Sequence, residues 1–169
     1  MERVAVIGNS GGGKSTLSRR LSQQFGLPCF EVDAFLWHPG WVLNSTEAYE
    51  NEHQRIIASD RWVLDGLGRL ETIADRLTRA TDIVLIDMPL WMHFWLAAER
   101  QIAWATGSID SPPACAEKMP PTEALFQTIW DVDQNWMPDI RRLVLAEEAR
   151  GKNVFRLTTV DELAQFTGA

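Results

Sequence analysis

The chain has 169 residues, 46% of them hydrophobic and 23% charged, which suits one domain over residues 1–169 with a sizeable core and leaves too little for two. Its formal net charge of −7 and lack of a basic stripe disfavour direct nucleic-acid binding or a grip on an anionic membrane surface. No apolar run is long enough to span a bilayer, Met1-Glu2-Arg3 leads straight into a strand pattern without signal-peptide features, and Cys29 and Cys115 lack metal-ligand spacing. A cytoplasmic protein with reduced thiols is expected.

In chain order, the first apolar run, Arg3 to Gly8, reads as a strand. Directly after it, Gly8-Asn9-Ser10-Gly11-Gly12-Gly13-Lys14-Ser15 matches G-x-x-x-x-G-K-[ST] at every fixed position and in the required strand-to-helix context. Such glycines let successive backbone N–H groups converge on phosphate oxygens, and the following helix adds its positive dipole end. Gly8 through Thr16 are therefore the expected nucleotide contacts, with Lys14 reaching the β and γ phosphates of ATP and Ser15 reaching Mg²⁺. A helix over Lys14 to Phe25, with Leu17 and Leu21 inward, ends at Gly26-Leu27-Pro28.

Further strands are predicted at Pro28 to Asp33, Arg61 to Asp65, Asp82 to Asp87 and Asn153 to Leu157. Helical patterns at Thr46 to Ser59, Leu70 to Arg79, Trp91 to Ala105 and Thr122 to Arg150 separate them, the last broken near Pro138. This alternation predicts an α/β three-layer fold with a five-stranded parallel sheet. Thr106 to Pro121, rich in proline, reads as a mobile loop.

Ligands of open parallel sheets collect at strand carboxyl ends, where Asp33, Asp65 and Asp87 stand. Asp65 and Asp87 are the candidate metal-orienting carboxylates, or else caps of the helices that follow, with Asp65 favoured because Met88-Pro89 follows Asp87. Asp33 could take a hydroxyl proton as general base, bind an acceptor hydroxyl, or cap a loop. Phosphoryl transfer needs further cations, for which Arg69 suits the acceptor side and Arg100 the donor side. Arg76 reads as a surface or salt-bridging residue, and Arg141 and Arg142 as a solvated helix face. Of the tryptophans, Trp91 and Trp95 with Phe94 and Ala98 read as a helical stripe packed into the core. Trp37 and Trp41, around Pro39-Gly40, either stack on a ligand or simply pack.

These segments resemble adenylate-kinase-like P-loop proteins, and among them the small group labelled DNA-topology-modulation or flagellin-regulator proteins. The resemblance covers nearly the whole chain. It rests on the phosphate loop, on Val32-Asp33-Ala34-Phe35-Leu36-Trp37-His38-Pro39-Gly40-Trp41, on Arg61-Trp62-Val63-Leu64-Asp65-Gly66 and on Asp87-Met88-Pro89-Leu90-Trp91. It implies a nucleoside-monophosphate-kinase architecture, an acceptor-covering segment over residues 34–60 and a lid over 106–121. By position, Gly8, Gly13, Lys14 and Ser15 would match the nucleotide loop, Asp33 the acceptor-side acid, Asp65 the acid before glycine and Arg100 the arginine preceding the lid. Arg69 matches the acceptor-phosphate arginine loosely. The lid contains no arginine, and Leu90 stands where relatives commonly have a basic residue. The expected activity is ATP- and Mg²⁺-dependent phosphoryl transfer, with Lys14, Asp33 and Arg100 catalytic. The acceptor, held by Asp33, Trp37, Trp41 and Arg69, would be a nucleoside monophosphate or a hydroxyl compound. The arginine-free lid motivates the alternative of an ATP-binding switch.

Overall fold

The structure is a computed structural model that describes residues 1–109 and 119–168. Its elements run β1 (Arg3–Gly8), α1 (Lys14–Phe25), β2 (Cys29–Glu31), α2 (Asp33–Leu36), β3 (Trp37–His38), β4 (Val42–Leu43), α3 (Thr46–Ala58) and β5 (Trp62–Asp65). They continue with α4 (Leu70–Arg79), β6 (Asp82–Ile86), α5 (Leu90–Ala105), α6 (Thr122–Asp131), a π-helical turn (Val132–Trp136), α7 (Met137–Ala149), β7 (Asn153–Leu157) and α8 (Val160–Gln165).

The fold is α/β, with a five-stranded sheet in the order β2-β5-β1-β6-β7 and every pairing parallel. Parallel strands need covering crossovers, so β1 is buried along Val4 to Ile7. Its side chains alternate between two cores. Ala5 and Ile7 join Tyr49, Ile56, Ile73, Leu77, Ile140 and Val144 from α3, α4 and α7. Val4 and Val6 join Leu17 and Leu21 from α1, with Met92, Leu96, Leu163 and Phe166 packed alongside. Register sets Val6 beside Asp65, Gly8 beside Ile86 and Glu31 beside Asp65, which brings the carboxyl ends of four strands to one edge. The phosphate loop leaves from that edge.

Several boundaries differ from the sequence reading. The second strand stops at Glu31, because the Val32 N–H turns to the Asp65 carbonyl at 2.9 Å and Asp33 opens the short helix α2. Asp87 lies just past β6, its N–H bonded to the Leu157 carbonyl at 2.8 Å. The long last helix breaks into α6 and α7 at the π turn directly before Pro138, where the missing proline N–H and the ring's demand for space disrupt regular α bonding. Like α2, two further features went unforeseen: α8, and the β3–β4 hairpin, which turns through Gly40 at φ 83° and Trp41 at φ 64°. The expected lid falls largely on residues 110–118, which lie outside the described residues, as does Cys115. At its exit, the Pro120 carbonyl accepts from Gln101 Nε2 at 3.1 Å.

Candidate functional site

The phosphate loop is glycine-rich because nothing else fits. A Cβ at Gly8 would sit 2.4 Å from the Ile86 carbonyl oxygen, and one at Gly11 would sit 2.8 Å from that of His93. Gly13, at φ 76°, would meet Leu163 of α8 at 2.8 Å. Side chains from distant elements brace the loop. Asn9 Nδ2 donates to the Ile129 carbonyl at the end of α6 (2.8 Å), while Asn9 Oδ1 accepts from the Ser10 N–H (2.7 Å). His93 Nδ1–H donates to the Ser10 carbonyl at 2.9 Å, and burial lowers its pKa, which keeps the ring neutral. Asn9 was foreseen as a nucleotide contact, not as a brace; His93 was missed altogether. Only the fold brings α5 and α6 against the loop.

Lys14 opens α1, and its Nζ donates to the Asn9 carbonyl at 2.8 Å. Burial lowers its pKa, and the charges of Asp65 and Asp33 work against that shift. Burial raises the Asp65 carboxyl to about 6, against the pull of Lys14 and of a hydrogen bond with the Ser15 side chain. Asp65 Oδ2 is buried with no hydrogen-bond partner. A buried acceptor left over beside a hydroxyl suits Mg²⁺, which takes one or two carboxylates and completes its shell with phosphate oxygens and water. No group of three or more His, Cys, Asp or Glu side chains that could hold a metal alone is found among the described residues.

Asp33, first residue of α2, is exposed as a residue, while desolvation of its carboxyl by the protein around it raises its pKa. Lys14, then Arg100, then a hydrogen bond with the Trp37 side chain counter the rise. Arg100 itself is partly buried and feels Asp33 as its attractive charge. Thus Lys14, Ser15, Asp33, Asp65 and Arg100, distant in sequence, share one electrostatic neighbourhood. Trp37 and Trp41 meet edge to face, with ring centroids 6.0 Å apart. Arg69 caps α4 and lies over the Tyr49 ring at 5.5 Å. Its Nη2 donates to the Asn44 carbonyl at 3.4 Å, and its Nε is buried without a partner.

The structure places other residues differently. Asp87 is held by Arg141 of α7 at 2.8 Å, so its carboxylate is not free, and Arg141, still partly on the solvated face expected for it, is engaged in an ion pair. Trp91 and Trp95 are not core: they are 62% and 59% exposed. The inward face of α5 is His93, Ala97 and Gln101, because the glycine loop packs there; Gly11 approaches the Ala97 Cβ, and large rings are forced outward. Arg76 is no surface residue either. It is completely buried, donating Nη1 to the Gly66 carbonyl, Nη2 to the Leu67 carbonyl (3.2 Å) and Nε to His53 Nε2 (3.3 Å).

No protein-family model matches the chain, and no curated protein matches it in sequence. Solved structures do. A shikimate kinase from Acinetobacter baumannii, in complex with shikimate, aligns at a TM-score of 0.60 and 13% identity over 94% of this chain and 84% of that one. A gluconokinase from Sinorhizobium meliloti 1021 aligns at 0.54 and 14% identity, covering 97% of this chain and 86% of that one. A shikimate kinase from Bacteroides thetaiotaomicron aligns at 0.54 and 11% identity, covering 96% and 92%. At these identities the likeness is one of fold: over most of its length, the chain is folded like these small-molecule kinases.

Proposed function

We propose that the chain transfers the γ-phosphoryl group of ATP to a hydroxyl of a small anionic molecule, in a reaction that requires Mg²⁺. The observation that carries this reading is the convergence of Lys14, Asp33, Asp65 and Arg100 at the carboxyl edge of the sheet. Gly8, Asn9, Ser10, Gly11, Gly12, Gly13, Lys14, Ser15 and Thr16 would hold the phosphates. Ser15 and Asp65 would hold Mg²⁺, which when bound neutralises charge on the transferring phosphoryl group. Lys14 and Arg100 present fixed positive charge to the oxygens where negative charge develops.

Asp33 would accept the hydroxyl proton of the acceptor. A carboxylate with a raised pKa is better matched to that task at neutral pH than an ordinary one. Trp37 and Trp41, from the 34–60 segment that would cover the acceptor, form an aromatic wall, and the unpartnered Nε of Arg69 suits an anionic group. The fold likeness to a shikimate kinase and a gluconokinase supports a hydroxyl acceptor over a nucleoside monophosphate. The narrower likeness to proteins labelled DNA-topology-modulation rests on Val32 to Trp41 above all. A net charge of −7 supports a small molecule as partner rather than DNA, and ATP consumption fits a cytoplasmic protein.

The test is ADP release from MgATP across a panel of hydroxy acids, polyols and nucleoside monophosphates. A hydroxylated acid should stimulate turnover, Lys14→Met should cost about 10³-fold or more, and Asp33→Asn about 10²-fold or more. If no acceptor lifts wild-type ADP release above that of Lys14→Met, the kinase reading is lost, and ATP binding without turnover would mark a switch.

A further inference from the structure

We propose that Arg76 is a positioning residue for the acceptor side of the site, fixing the backbone from Gly66 to Arg69 without touching either substrate. This inference rests on the kinase reading above. Arg76 lies on the inner face of α4, and its donors reach the carbonyls of Gly66 and Leu67, the two residues directly after Asp65. Its remaining bond, to His53 of α3, ties that segment to the helix of the acceptor-covering region. Tyr49, one turn earlier on α3, completes the clamp. Its hydroxyl oxygen accepts from the Arg69 N–H at 3.2 Å and lies 3.1 Å from Thr72 Oγ1, which donates to the Arg69 carbonyl at 2.9 Å. The chain runs so close to this hydroxyl that a Cβ at Gly68 would sit 2.1 Å from it. Residues 66 to 69 are thus held at the Gly66 and Leu67 carbonyls and on both sides of Arg69.

Packing alone does not account for Arg76. A cation with 0% exposure, hydrogen-bonded to two carbonyls and a histidine, is costly to desolvate, and a hydrocarbon of similar volume usually stabilises such a position as well or better. What a hydrocarbon lacks is the planar fork that fixes two carbonyls and an imidazole in one geometry. The His53 ring is suited to its acceptor role, since burial, and then the Arg76 charge, lower its pKa to about 4. Burial lowers the Arg76 pKa, and the Tyr49 hydroxyl and then the Asp65 carboxyl counter that shift. The segment so fixed follows the candidate metal carboxylate and ends at Arg69, the cation assigned to the acceptor, whose Nε is buried without a partner.

Arg76→Lys, which keeps the charge and loses the fork, tests this by two routes. Amide hydrogen exchange should quicken at least tenfold over residues 66–70 and stay within twofold over residues 8–15, with MgADP affinity within twofold of wild type. With shikimate, gluconate or AMP as acceptor, whichever supports ADP release, the acceptor KM should rise about tenfold while the KM for ATP holds within twofold. His53→Leu removes the Nε partner, together with the ring stacked on Tyr49, and should reproduce the exchange change, threefold or more; it decides the matter if Arg76→Lys fails to fold. Unchanged exchange over 66–70 overturns the proposal, as does equal weakening of acceptor and nucleotide, which would mark a general structural role. If wild type releases no ADP with any of the three acceptors, the kinase reading suffers for them, and the exchange measurements still decide for or against Arg76.

Discussion

Asp65 sets folding against chemistry at the scale of a single residue. The folded protein keeps its proton up to about pH 6 because the carboxyl is buried, whereas an unfolded chain releases it near pH 4. Between those values the folded state binds more protons than the unfolded one, so stability falls as pH rises through the window, and the loss persists at neutral pH. The penalty is on the order of 1–3 kcal/mol. Asp65→Asn should therefore raise Tm at pH 7.5 by roughly 3–10 °C, give no gain at pH 4, and abolish Mg²⁺-dependent turnover. A lower Tm at pH 7.5 would mean that the attraction between Asp65 and Lys14 outweighs burial. Asp87 provides the contrast. Its pair with Arg141 is partly exposed, so Asp87→Asn should cost no more than about 1 kcal/mol and leave the Mg²⁺ dependence of turnover within threefold. Melts and magnesium titrations of the two variants separate a candidate metal carboxylate from a helix-docking one.

Among the elements, the phosphate loop owes its shape to helices it never meets in sequence. Asn9 and Ile129 are 120 positions apart, yet their hydrogen bond ties the loop to the end of α6. Asn9→Ala removes one donor and one acceptor from a buried site and should cost about 1–3 kcal/mol, seen in denaturant melts, with a roughly tenfold weaker ATP affinity by calorimetry. The same contrast between local and distant causes explains what the sequence discloses. Glycine spacing and apolar runs are local, so the loop, the five parallel strands and the break near Pro138 could be read directly. A tryptophan stripe has the same helical spacing whether it faces core or solvent, so the orientation of α5 could not; that depends on the glycine loop demanding Ala97 and His93 opposite it. Arg76 left no pattern because two of its acceptors are main-chain carbonyls, which every residue possesses. The β3–β4 hairpin escaped because strands of two residues give no periodicity, and its turn places Trp41 at φ 64°, where aromatic residues are uncommon.

For the whole molecule, the balance lies between a net charge of −7 and a site that must attract a polyphosphate. At this edge of the sheet the phosphate-loop amides, Lys14 and Arg100 stand against Asp33 and Asp65, and only the acids invite a divalent cation. On the kinase reading, a pocket of that composition suits a compact, metal-neutralised phosphate tail better than an extended polyanion lying across an acidic surface. A ligand that binds only the native state stabilises it by about 2.7 kcal/mol at a hundredfold excess over Kd, which in a chain of this size corresponds to a rise in Tm of roughly 5–10 °C. MgATP should give such a shift, ATP with a chelator a smaller one, and Lys14→Met none with either. Duplex DNA at equal phosphate concentration should leave the melt unmoved at 50 mM and at 200 mM salt. A DNA-induced shift that disappears at the higher salt would place an electrostatic nucleic-acid surface on this protein and count against the small-molecule reading, because counterion release is the mark of phosphate-backbone contacts.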